Sequence, residues 1–259
     1  MKSARITIRP AAHRAAARVP LMSPEEHLAR AMAAQTPRSR AIWARRGLAV
    51  RARIDKTTQS MLLRQLYLAH FEQRRFQDAF DVSEQSLCLG VLLDVVHQDA
   101  ARACVALGDI DGAAGHLRLA ARIGPPSRRA FHWWTLGSMY YVAQRHQEAI
   151  GALARAARWG TRDKPLYQGH LAAARCASGL EVDDLADLIE HLSQVPAGQG
   201  YGRFVLGQLA YFSGRFRDAR GFLEAFIERT EQGRPALAIA LDGELGVARR
   251  TLGALANAG

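Results

Sequence analysis

From about residue 57 onward the chain reads as helical apolar stretches interrupted by short polar turns, and the turns resemble one another. Arg74-Arg75-Phe76-Gln77-Asp78-Ala79, Gly108-Asp109-Ile110-Asp111-Gly112-Ala113, Gln144-Arg145-His146-Gln147-Glu148-Ala149 and Gly214-Arg215-Phe216-Arg217-Asp218-Ala219 each place an apolar or ring-bearing residue two positions into a polar turn and Ala three positions later. The Ala residues are separated by 34, 36 and 70 positions, and the last interval is two units long. The skipped copy centres near residue 185, where Gly179-Leu180-Glu181-Val182-Asp183-Asp184-Leu185 repeats the turn with Leu in place of Ala. A recurrence every thirty-odd residues predicts pairs of helices, each pair too small to bury its own apolar face and so obliged to stack on its neighbours.

Ahead of the third turn the chain spells Trp133-Trp134-Thr135-Leu136-Gly137-Ser138-Met139-Tyr140, and behind it come Ala149, Leu153 and Ala156. The second unit supplies Ala113, Leu117, Ala120 and Pro125; the fifth has Ala219 and Leu223 but departs at Phe226. This pattern resembles the tetratricopeptide repeat (TPR). The resemblance implies an all-α fold, a right-handed superhelical solenoid of antiparallel helix pairs, and a protein-protein interaction role. Five units are expected at about 60–92, 94–128, 130–163, 166–199 and 200–233, within a repeat domain spanning 57–259. Gly124-Pro125-Pro126, Thr161 to Pro165, Pro196 to Gly200 and Gly233 to Pro235 supply breaks between units. Residues 235–257, with Leu237, Leu241, Leu245 and Leu252 on one face, are expected to form a single capping helix, weakened by Gly243, Gly246 and Gly253. Residues 22–56 are read as N-terminal helices with a degenerate opening repeat. Ser23-Pro24-Glu25-Glu26 makes a helix start, with an N-cap, Pro at the first position and Glu at the third.

Charge changes the picture only at the front of the chain. Of the formal net charge of +11, residues 1–56 carry +10, from 13 Lys or Arg against Glu25, Glu26 and Asp55, so the rest is close to neutral. Residues 1–21 lack acids and periodicity and are expected to be a disordered basic tail, with Met22 an alternative start. Weak electrostatic contact with nucleic acid through residues 1–56, with the repeats as a regulatory module, is therefore the alternative function. No apolar run reaches the roughly 18 residues needed to span a bilayer, and no secretory signal opens the chain, which suggests a cytoplasmic protein.

The chemistry-bearing residues form no catalytic or metal-binding pattern. Cys88, Cys104 and Cys176 are far apart and are read as small buried apolar residues, Cys104 and Cys176 in the slot that Tyr140 fills in unit three. Asp109-Ile110-Asp111-Gly112 resembles the opening of a calcium loop but lacks the later Glu and coincides with an inter-helix turn. Nine His make no metal-ligand spacing, no nucleophile sits in G-x-S-x-G, and no Gly-rich loop opens a helix. No catalytic residues, metal or cofactor are assigned, and the chain is read as non-enzymatic.

The informative residues lie on the first helix of each unit. With Trp133, Leu136, Gly137 and Tyr140 between helices, the adjoining face holds Phe131, Trp134, Ser138 and Tyr141. Shifting by the repeat length gives Arg64, Leu68 and Phe71 in unit one, Gln98 and Arg102 in unit two, Tyr167 and His170 in unit four, and Tyr201, Phe204, Gln208 and Tyr211 in unit five. These residues define an expected concave, aromatic-lined groove for a peptide or partner protein, because rings beside Arg dominate binding hot spots. The same residues could instead pack against adjacent helices or a capping segment, and both readings are open. Family members that clamp a terminal carboxylate do so with Lys and Asn on this face. Neither occurs here, so an extended or helical apolar peptide is the better-matched ligand. Helix geometry further predicts Trp133 in the core and Trp134 in the groove, so that Trp133→Ala would cost roughly 3–5 kcal/mol of stability and Trp134→Ala chiefly binding.

Overall fold

The computed structural model describes residues 22–51 and 53–257, and among these every regular element is helical. A capping box at Ser23 starts α1 (Pro24–Ala33): the Ser23 N–H donates to Glu26 Oε2 at 2.7 Å and the Glu26 N–H donates to Ser23 Oγ at 3.2 Å. Thr36 caps α2 (Pro37–Leu48) in turn. Helix pairs then follow: α3 (Lys56–Glu72) with α4 (Phe76–Leu87), α5 (Leu93–Leu107) with α6 (Ile110–Ile123), and α7 (Pro126–Val142) with α8 (His146–Trp159). Two more pairs are α9 (Lys164–Ala177) with α10 (Leu185–Gln194), and α11 (Gly202–Phe212) with α12 (Phe216–Glu231).

The turn inside each pair is one backbone solution used five times. Arg74, Gly108, Gln144, Gly179 and Gly214 all stand in the left-handed region, with φ between 57° and 85°. The residue that follows each of them donates its N–H back to a carbonyl five positions earlier: Arg75 to His70, Asp109 to Cys104, Arg145 to Tyr140, Leu180 to Arg175 and Arg215 to Ala210. This bond satisfies carbonyls that the helix end would leave orphaned. In three units the new helix is pinned by the same i,i+3 ion pair, Arg75–Asp78, Arg145–Glu148 and Arg215–Asp218. In the second unit Asp109 replaces it by accepting from the Gly112 N–H at 2.8 Å, so the calcium-like tract is a helix cap.

Packing repeats with the backbone. Ala79, Ala113, Ala149 and Ala219 are all fully buried. A Cβ on Gly137 would fall 2.5 Å from Leu153 Cγ, and one on Gly207 2.5 Å from Leu223 Cγ, so the absent side chain sets how closely the paired helices approach. Tyr140 and Cys104 fill equivalent buried slots, whereas Cys176 is only half-buried and Cys88 is exposed, against the expectation of three buried thiols. These recurrences make the chain an all-α, TPR-like solenoid.

Two local expectations differ from the structure. In unit four the polar stretch runs on to Asp184, which is itself left-handed, so Leu185 opens α10 instead of taking the position that Ala holds elsewhere. The segment 235–257 is not one helix. It breaks at Leu241 into α13 (Pro235–Ala240) and α14 (Asp242–Asn257). The second helices α4, α6 and α8 pack chiefly on their sequence neighbours, while α13 and α14 touch α12 and also reach first helices: α13 meets α3, and α14 lies on α7 and α11. The C-terminal helices therefore lie across the inner face rather than simply capping the last unit.

Candidate functional site

The inner face divides into a filled half and an open half. The filled half is an aromatic cluster from α7, α9 and α11. Trp134 meets Tyr201 edge-on at 4.7 Å between ring centres and lies 6.0 Å from Tyr167, while His170 sits 5.1 Å from Tyr141. Phe204 lies 5.6 Å from Tyr201 and packs onto Phe226 of α12. Tyr141, Tyr167, His170, Phe204 and Gln208 are buried in this conformation, and Tyr211 is half-buried beside Phe212. The physical reason is curvature: consecutive first helices α9 and α11 touch directly, so residues beside the seam are shared between units, and α14 covers what remains.

The contacts with α14 are polar and specific. The Ser138 hydroxyl donates to Glu244 Oε1 at 2.9 Å, and the Tyr201 hydroxyl lies 3.2 Å from the same oxygen and 2.5 Å from Ser138. The Tyr141 hydroxyl donates to Gln208 Oε1 at 2.9 Å, and the Gln208 amide donates to Thr251 Oγ1 at 3.1 Å. Glu244 is buried and makes no ion pair among the described residues, and burial raises its pKa above the usual carboxylate range. Burial likewise pushes His170 down to about 3, and neither of its ring nitrogens has a hydrogen-bond partner among the described residues.

The open half is a cavity of about 550 Å³ bounded by α3, α5 and α7 on one side and residues 237–244 on the other. Of the fifteen residues expected in the groove, Phe71, Gln98, Arg102, Phe131, Trp134, Ser138 and Tyr201 line it. Arg74, Val105 and Met139 join them, as do Leu237, Ile239 and Leu241 from the C-terminal segment. The volume and the apolar wall with a few polar groups match an organic or peptide ligand site. Trp134 is half-buried, and its indole N–H is sequestered without an acceptor among the described residues. Trp133 does not line the cavity, yet it is half-buried too, beneath the Arg155 guanidinium at 4.7 Å, so it is not the core ring expected of it.

Arg64 and Leu68 do not line the cavity. Arg64 donates to Asp99 Oδ2 at 2.8 Å, and Arg102 reaches the other oxygen of the same buried carboxylate at 3.3 Å. Asp94, also buried, takes Arg128 at 2.7 Å and His132 Nε2 at 3.2 Å. Even with that carboxylate beside it, the dominant effect on His132 is burial, which lowers its pKa. These acids were missed in the sequence, although a signal was there: Arg64 and Asp99, Asp94 and Arg128, and Asp111 and Arg145 each lie 34 or 35 residues apart, one repeat length. The C-terminal lining was also missed, since its apolar face was assigned to a cap.

Among the described residues no group of three or more His, Cys, Asp or Glu could hold a metal ion, and no helix is long and apolar enough to cross a membrane. The basic stretch 1–21 lies outside the described residues. Neither the protein-family models nor the curated proteins include a match to the chain. Among solved structures it is similar to a putative kinesin light chain from Podosopora anserina with nearly identical TPR-like repeats, at 18% identity and a TM-score of 0.47, covering 71% of this chain and 100% of that one. A point-substituted form of that protein gives 18% identity and a TM-score of 0.48, over 70% and 100%. At that distance the assignment stands on this chain's own geometry, and its five equivalent left-handed turns and recurring Gly and Ala contacts make it a TPR-like helical-repeat protein.

Proposed function

We propose that this chain is a non-enzymatic scaffold that seats a peptide or partner protein in the cavity between α3, α5 and α7. The observation that carries the reading is the cavity itself: about 550 Å³, walled by Phe71, Phe131 and Trp134, with Gln98 and Arg102 among its polar groups. Rings hide large apolar areas at small entropic cost and Arg adds directional donors, a combination enriched at binding hot spots. A cytoplasmic location belongs to this reading, because three free cysteines suit a reducing compartment.

Photocrosslinking tests it. With p-benzoylphenylalanine in place of Val105, an exposed residue of the cavity wall, a discrete protein adduct should form in the cells that make the chain. The adduct should disappear when Phe131→Ala and Arg102→Ala are added. The same probe at Arg122, exposed on α6, should give no such adduct. Equal adducts from both positions, or none from Val105, would refute the cavity as the partner site.

A further inference from the structure

We infer that the half of the inner face covered by α14 is an exchangeable helix site, selective for a partner helix that presents Gly-Glu, or Gly-Gln, followed by Thr or Ser seven residues after the acid or amide. The inference rests on the reading of the chain as a partner-binding scaffold, and it names the chemistry of one partner.

The receptor side is built independently of the helix it holds. Ser138 and Tyr141 project from α7, Gln208 from α11, and Tyr201 directly precedes α11; the Ser138 and Tyr201 hydroxyls meet a carboxyl or amide, and the Gln208 amide, held at its oxygen by Tyr141, meets a hydroxyl. Glu244 and Thr251 meet these groups from one face of α14, since a separation of seven residues is close to two helical turns. Gly243 sets the depth of seating, because a Cβ there would lie 2.5 Å from Val142 Cγ1. Leu245, Ala248 and Leu255 supply the buried apolar contacts of the same helix. The ligand pattern, in one-letter code, is therefore G-E-L-x-x-A-x-x-T-x-x-x-L.

The resident helix is held by specific groups but little apolar burial. Leu245 and Leu255 are the large apolar side chains it buries, Val247 and Leu252 are half-buried against the core, and α13, which precedes it, buries no residue. Gly243, Gly246 and Gly253 lower its helix propensity. Its acid is buried and makes no ion pair among the described residues, which opposes docking of the charged form. Gln232, Gly233 and Arg234, which join α12 to α13 ahead of it, are all exposed. Low burial and exposed connections mark segments that open without unfolding the rest.

The test uses the full chain and a fluorescein-labelled synthetic peptide of residues 241–257, read by anisotropy. In a full-length variant carrying Leu245→Ala and Leu255→Ala, which weaken the resident helix and leave the receptor untouched, the peptide should bind saturably. The unaltered chain should bind it about tenfold more weakly or less, because its own helix competes. Peptides with Glu244→Ala or Thr251→Val should each lose about tenfold. Three outcomes overturn the inference: no binding to the folded variant, equal binding of the altered peptides, or conversion of the variant to dimers that take up no peptide, which would make a second copy the occupant. Should the variant not fold, hydrogen exchange on the unaltered chain decides. The α14 amides should exchange about a hundredfold faster than those of α11, and equal protection refutes exchangeability. The Val105 adduct separates this result from the broader reading: peptide failure with the adduct retained rejects the helix site alone, and loss of the adduct with peptide binding retained rejects the cavity alone.

Discussion

His170 shows at a single residue how the filled half of the inner face constrains the whole chain. Fully buried among rings and without a partner for either nitrogen among the described residues, it holds its pKa at about 3, well below the unfolded value of about 6.5. The unfolded chain takes up a proton below pH 6.5 that the folded chain refuses, so stability falls as pH drops from there toward 3, by about 1.4 kcal/mol per pH unit for this group. Burial lowers His70, His97, His116 and His132 in the same direction and steepens the loss. His170→Leu should flatten the dependence of the urea midpoint on pH between 6.5 and 4; an unchanged slope would show that this imidazole does not titrate as described. Glu244 has the opposite sign. Its folded pKa is raised, so its contribution is full below the unfolded value near 4.3 and is lost as pH rises through the folded one. Glu244→Gln should therefore stabilise the chain at pH 8 relative to pH 4. Trp134 belongs at this scale too. Because it packs on Tyr201 and sequesters its own N–H, Trp134→Ala should cost about 3 kcal/mol in chemical denaturation and Trp133→Ala less. That reverses the order suggested by helix geometry alone.

Among the helices, glycine separates contacts that matter from those that do not. Gly137→Ala forces a methyl against Leu153 and should destabilise by about 2 kcal/mol. Gly151→Ala, in α8 with nothing within 4 Å of the added atom, should stabilise by about 0.8 kcal/mol. Opposite shifts in melting temperature check the pair. Gln144 occupies a left-handed turn position that Gly holds in three other units, so Gln144→Gly should gain about 1 kcal/mol, measured the same way. Turns, buried Ala positions and Gly contacts were legible in the sequence because they are fixed by local backbone and recur at a constant interval. Assigning Tyr141, His170 and Phe204 to an open groove was not reliable on the same grounds. A repeat offset fixes which side of a helix a residue occupies, but not how sharply successive first helices curve onto one another. Nor could the route of α13 and α14 be read, since Leu237, Leu241 and Leu245 suit a cap and a cross-groove path equally well.

In the molecule as a whole, the segment after α12 returns to the first full repeat, where Ile239 packs against the cluster that contains Phe71 and Val82. A row of repeats ordinarily transmits energy only between neighbours, and damage fades along it. Here α13 links the last repeat back to the first full one, so the array behaves as a closed circuit. A lesion near one terminus should be sensed at the other without passing through the middle. In a double-mutant cycle, Phe71→Ala and Ile239→Ala, 168 positions apart in sequence, should couple by about 0.5 kcal/mol or more. Strict additivity would mean that the circuit is open in solution.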